Sequence, residues 1–182
     1  MGVLVVVALA CIGVAAVAVA IGIGHRLVRK RDSIESSWQT VGAHLSRRHE
    51  LISALVHVAG RRPVFDPVVR AQVAAEFAVG PSARAEAEEQ LTVELDRALG
   101  VIERDPRLNS NRRYRHLRGQ LTDTENRIAY ARQYFNDAVR SYNRLVTTMP
   151  ASVAARAFGH NAREPFAAAT SSSISGRAQL HS

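Results

Sequence analysis

The chain is poor in cysteine, lysine and aromatic residues. Its one cysteine, Cys11, has nothing to pair with, so an intramolecular disulfide is excluded and the redox compartment is left open. Lys30 is the one lysine, so arginine carries nearly all of the +8 net charge. A GC-rich genome is enough to produce that bias, and the choice of arginine carries no functional meaning. The basic balance itself fits an anionic lipid surface or nucleic acid. Aromatics make up 5% of the chain and alanine is abundant, which favours close-packed helices over sheets. Patterns that carry chemistry are missing too. No glycine-rich loop is present to cradle a phosphate. No serine sits in a nucleophile elbow. His44, His49 and His57 are not paired at i, i+4 and have no carboxylate cluster beside them, so they read as surface or boundary residues rather than zinc ligands. No catalytic residue, metal or cofactor is expected, and the chain does not read as an enzyme.

What is present begins with a long apolar run. Val3 to Gly24 holds no charged or strongly polar residue. As a helix it would span roughly 33 Å, about the thickness of a bilayer core. A signal peptide would want a positive region ahead of a shorter run. Ala8-Leu9-Ala10-Cys11 is a poor lipoprotein site. An uncleaved transmembrane anchor over residues 1–25 is the reading adopted. Arg26, Arg29, Lys30 and Arg31 follow it at once. Their position places the N-terminus outside and the rest in the cytoplasm. Ala16, Ala20 and Gly24 have a spacing that lets two such helices pack.

The chain then reads as helices divided by breakers. Leu27 to Gly60 carries Leu27, Ile34, Val41 and Leu55 on one heptad position and Trp38, Leu45, Ile52 and Ala59 on the next. Arg48 falls where an apolar residue was due, which makes it a candidate buried partner for an acid such as Glu125. Asp32 and Glu35 could form a capping box, so either a break or one continuous rod is open here. Gly60 and Pro63 end this helix. Asp66-Pro67 starts a short helix to about Ala78. Gly80-Pro81 breaks it, and Ser82 caps a longer one to about Arg104, with Ala87, Leu91, Leu95, Ala98, Leu99 and Ile102 inward. Asp105-Pro106 breaks again. Whether Gly80-Pro81 reverses the chain or only kinks one rod is left open. That choice decides whether the Asp105 loop lies far from the membrane or near it.

Helix resumes near Ser110 and leads into the stretch that organises the chain, Leu121 to Pro150. Leu121, Ile128, Phe135, Tyr142 and Met149 recur every seven residues, with Thr124, Ala131, Ala138 and Leu145 three behind. That stripe has to be buried against other helices. Beside it lie Glu125, Arg132, Asn136 and Asn143, spaced 7, 4 and 7 on one face. The plain reading of this ladder is a structural polar network at a helix contact. The sharper one is a recognition groove for a partner peptide or small ligand. Catalysis by Glu125 with Arg132 has no nucleophile or metal set to support it. Arg104, Arg107, Arg112, Arg113, Arg115 and Arg118 form the densest basic run, with Tyr114 and His116 among them. It reads first as a solvated face. Contact with anionic lipid requires the loop to return to the membrane, and nucleic acid is the least favoured reading because no recognised motif accompanies the run. After Pro150, Val153 to Phe158 reads as a short helix, and residues 167–182 as a disordered tail.

Around Glu125-Asn126-Arg127-Ile128-Ala129 the chain resembles the LemA family. The pattern continues through Ala131, Arg132, Asn136, Ala138, Val139, Tyr142 and Asn143, preceded by Thr124. Phe135 stands where the family has tyrosine. Arg47 to Val56 is similar to a second family segment, with Ser53 for its proline and Ala54 for its asparagine. Asp105-Pro106-Arg107-Leu108 is similar to a third. The likeness covers roughly Leu27 to Phe166, and the Pro63 region and the last thirty residues depart from it. It implies a helical bundle on an N-terminal membrane anchor, in a family without established catalytic residues. Some members are tied to membrane remodelling or organelle organisation.

The expectation is therefore an all-α chain: an antiparallel up-and-down bundle over residues 26–166, on a transmembrane helix. It has three long helices, or four counting a short second one. Its expected work is protein interaction or scaffolding at the cytoplasmic membrane face, through an unidentified protein partner or as a homo-oligomer. An accessory or regulatory subunit of a membrane enzyme or transporter complex is the alternative.

Overall fold

The computed structural model describes residues 1–60, 62–149, 151–157 and 159–167. There is no strand among the described residues. The elements are α1 (Gly2–Ala59), a 3-10 turn (Pro63–Phe65), α2 (Asp66–Phe77), α3 (Pro81–Ile102), α4 (Pro106–Ser110), α5 (Arg112–Thr147) and α6 (Ala151–Ala157). The expected tail, apart from Ala167, lies outside the described residues, as do Pro150, Phe158 and the side chains of Ala16 and Ala20.

α1 is one rod of 58 residues, so Asp32 and Glu35 mark no break. Its first part, long and apolar enough to cross a membrane, packs on nothing else among the described residues. From Leu27 onward the same helix turns one stripe inward: Leu27, Ile34, Val41, Leu45, Ile52, Leu55 and Ala59 are buried. Gly60 ends it in the left-handed region (φ 88°), where its N–H reaches back to the carbonyls of His57 and Val56.

α5 lies along α1 and runs the opposite way. The Trp38 and Phe135 rings meet at 5.2 Å, and Arg48 meets Glu125 further along. At Gly80-Pro81 the chain reverses. Glu76 and Glu88 both approach His49, at 3.5 and 2.8 Å. In one continuous helix those carboxylates would stand about 18 Å apart. Gly80 has φ 90°, a conformation that suits glycine. α3 then runs beside α1 in the same direction, and Arg62 meets Asp105 at 2.6 Å past the end of both. The Asp105 loop thus sits at the far end of the molecule. Along α1, Ala59 lies about 50 Å from Arg26.

Several local expectations change. α3 is capped by Gly80 with Pro81 in its first turn, and the Ser82 hydroxyl instead donates to the Pro165 carbonyl at 3.3 Å. Asp66 makes no side-chain cap. α5 starts at Asn111, whose side chain accepts from the Arg113 and Tyr114 N–H groups. The α5 seam also drifts. Leu121, Thr124, Ile128, Ala131, Phe135 and Tyr142 are buried, but Val139 and Val146 replace Ala138 and Leu145, and Met149 is 70% exposed. A straight helix turns every 3.6 residues, so a seven-residue stripe slips by about 20° each repeat. Over four repeats that slip moves the contact one residue on.

The core falls into two parts. A distal cluster includes Leu51, Leu55, Leu91, Leu99, Tyr114 and Leu121. A proximal one includes Leu27, Val41, Ala85, Ile128, Phe135, Tyr142 and Phe166. Phe135 is a central member of the second. Phe135→Ala should cost about 3–5 kcal/mol in urea unfolding, whereas Tyr134→Ala, next to it but exposed, should stay within about 0.5 kcal/mol.

Candidate functional site

A polar layer separates the two core clusters. Arg48, only 2% exposed, lies at its centre. Its Nη1 donates to Glu88 Oε2 at 2.8 Å and its Nη2 to Thr92 Oγ1 at 2.8 Å. Arg48 Nε stands 2.6 Å from Glu125 Oε1, an ion pair whose N–H points off the hydrogen-bond line. His49 Nε2 meets the other Glu88 oxygen at 2.8 Å, and Arg84 Nε comes within 3.6 Å of it. The expected Arg48–Glu125 contact is therefore present. The expectation for His49 is corrected: it is buried, because the turn at Gly80-Pro81 folds α2 and α3 over that face of α1. Glu88, buried on the inward face of α3 with Ala85 and Leu91, is the residue that sequence reasoning missed.

The two acids respond to this layer differently. Burial pushes the Glu88 carboxyl up, but the His49 hydrogen bond and the charges of His49, Arg48 and Arg84 outweigh it and hold it below its ordinary 4.5. Burial pushes Glu125 above that value, and Arg48 offsets this only in part. Glu88 holds the better share of Arg48, with two hydrogen bonds to one residue.

The rest of the ladder turns to the chain's own C-terminal segment, residues 159–167. Asn136 Nδ2 donates to the Phe166 carbonyl at 3.2 Å, and its Oδ1 accepts the Phe166 N–H at 2.8 Å. Asn143 does the same to Arg163, at 2.8 Å each way. Each amide thus satisfies both backbone groups of one residue. The spacing explains why. Seven residues of helix rise about 10.5 Å, and three residues of extended chain cover about 10 Å. Asparagines at i and i+7 therefore meet residues j and j−3 of a strap running antiparallel to the helix. Phe166, 1% exposed, anchors the strap. Its ring lies 5.8 Å from Trp38, and the Arg132 guanidinium sits 5.1 Å above it. Tyr142 Oη meets His160 Nδ1 at 3.2 Å.

The ladder thus divides. Glu125 belongs to the buried layer, whereas Arg132, Asn136 and Asn143 hold the strap. The strap residues carried no signal in the sequence, since nothing local links Arg163 or Phe166 to the asparagines of α5. The basic run is elsewhere, at the distal end. Arg104, Arg107, Arg112, Arg113 and Arg115 are exposed, and Arg118 pairs with Glu103 at 2.6 Å. Tyr114, the aromatic that would stack on a base, is buried in the distal core. Among the described residues, no group of three His, Cys, Asp or Glu side chains could hold a metal ion.

Two outcomes follow. Glu88, depressed when folded, stabilises the fold above its ordinary value, and that contribution is lost as pH falls through the lower folded value. Glu125 has the opposite sign: its contribution falls as pH rises from the ordinary value through its raised folded one. Urea midpoints measured from about pH 3 to 7 should lose their acid limb in Glu88→Gln and rise more steeply above pH ~4.5 in Glu125→Gln. Replacing Asn136 and Asn143 together with alanine should release the strap. Amide exchange at Arg163 and Phe166 should then speed up at least about tenfold, while the α1–α5 core stays protected.

A comparison with curated proteins found no match. The family model described as the LemA family matches residues 37–177. That range takes in the α1 segment bearing Arg48, the whole of α5 with its ladder, and the strap. The chain belongs to the LemA family.

Proposed function

We propose that this chain is a membrane-anchored, non-enzymatic interaction protein. In this reading it is an up-and-down bundle of three long helices and a short second one, standing on a transmembrane helix with the bundle at the cytoplasmic face. The continuity of α1 supports the anchor, because one helix supplies both the apolar span and a wall of the bundle. The basic residues that follow the span support the orientation.

The observation that carries the interaction reading is the pair of asparagine clamps on the strap. They read backbone rather than side chains, so they fit any extended segment with the right spacing. Phe166 supplies the specificity, filling the space against Trp38 and under Arg132. A partner's extended segment with one aromatic anchor would make the same contacts once the strap leaves. A second copy of the chain could supply that segment, giving a homo-oligomer. The non-enzymatic reading rests on the same geometry, because the ladder's polar groups are engaged with the protein's own backbone, ring and arginine.

The alternative, an accessory or regulatory subunit of a membrane enzyme or transporter complex, is favoured by one feature. Among the described residues the apolar part of α1 packs on no other part of the chain, which suits contact with another membrane helix.

Crosslinking in native membranes with mass spectrometry tests both. Phe166→Ala, which loosens the strap and keeps the clamps, should raise capture of the partner about threefold or more. Arg132→Ala and the double asparagine variant should lower it. If all three match the wild type while substitutions in Val3–Gly24 abolish capture, the partner acts through the span and the ladder is internal structure.

A further inference from the structure

At the end of the bundle next to the apolar span, α1 and α5 flank an open cavity of roughly 560 Å³, and its cationic side chains are exposed. Arg26, Arg29 and Lys30 of α1 line it together with Arg144 of α5, and Ser33 and Ser141 add hydroxyls. Arg144 reaches this place only because α5 runs antiparallel. The register that sets Phe135 against Trp38 also sets Arg144 beside Arg29. Among the described residues, none of these four cations has a carboxylate within 4.0 Å. Asp137, an acid two turns before Arg144, is taken by Arg140, and Asp32 on α1 comes within 4.0 Å of none of the four. Gathering four like charges around one cavity costs free energy, and an anion there would offset it. Leu145 gives the cavity an apolar wall beside its cations.

From this arrangement we infer that the cavity binds the phosphodiester of an anionic phospholipid headgroup. The inference rests on the membrane reading, which sets the height of the site. With Val3 to Gly24 across the hydrocarbon core, residues 26–33 stand at the level of the headgroups. A row of basic residues after a span attracts anionic lipid without forming a pocket. Arg144 is what separates the two cases. It comes from α5, contributes nothing to the flanking row, and adds a cation from the opposite wall of the groove.

The test uses the full chain in vesicles of phosphatidylcholine with phosphatidylglycerol, followed by detergent release and native mass spectrometry. Wild type should retain phosphatidylglycerol, and Arg144→Gln should retain about fivefold less. Arg113→Gln removes the same charge at the distal end and should leave retention unchanged. Equal retention in wild type and Arg144→Gln would overturn the pocket, as would an equal loss in Arg113→Gln. Alkaline carbonate extraction reads the anchor separately. A chain that resists extraction but shows no dependence on Arg144 leaves the membrane reading intact and removes only the pocket. A chain that carbonate extracts removes the anchor and the lipid assignment together. Inorganic phosphate is the remaining arm. If it stabilises detergent-solubilised wild type against heat as well as a short-chain phosphatidylglycerol does, the site takes a soluble phosphate and the lipid assignment falls.

Discussion

Arg48 is the constraint on which the arrangement of helices depends. Its guanidinium is buried and meets α3 through Glu88 and Thr92 and α5 through Glu125. A charge removed from water has to find partners in defined directions. Apolar side chains tolerate a slide of one helix turn far better than this group does. The layer therefore fixes the register of three helices at once. Everything that relies on that register follows, from the Trp38–Phe135 contact to the placing of Arg29 and Arg144 on one groove.

The strap uses the same register at second hand. Its three anchoring contacts come from α5 alone, but the Phe166 ring also needs Trp38 of α1, and the Pro165 carbonyl needs Ser82 at the start of α3. An extended segment is held where three helices agree on their positions. Its backbone is satisfied by side chains rather than by a sheet, which is how a strand-like piece exists in a chain without strands among its described residues. Such a segment can leave without unravelling a ladder of main-chain bonds, because only two residues are clamped.

Much of this was legible in the sequence because it depended on local rules. The inward stripe of α1, including the misfit Arg48, was visible in the seven-residue spacing. Gly60 and the two proline breaks marked their turns. The face shared by Arg132, Asn136 and Asn143 followed from helical periodicity alone. What it would hold did not. Asn143 and Arg163 are twenty residues apart, and nothing local links them. The reversal at Gly80-Pro81 was undecided because a glycine-proline pair suits a kink as well as a turn; the burial of His49 depends on that one choice. Glu88 was hidden because a single acid among Glu86 and Glu89 looks like any exposed helix residue until its neighbours are known. The drift to Val139 and Val146 shows a different limit, since a strict repeat and a straight helix part company over several seven-residue repeats.

The unbroken α1 has a mechanical consequence. A rod of 58 residues with no hinge between its apolar and packed parts makes the bundle a rigid extension of the apolar segment. Helices in bilayers tilt to match the local hydrocarbon thickness. A change of about 10° in that tilt would swing the far end of a lever roughly 50 Å long by about 9 Å. The exposed arginines around the Asp105 loop ride on that end. Under the proposed membrane reading, bilayer thickness at one end of the molecule would set the lateral position of a charged surface at the other.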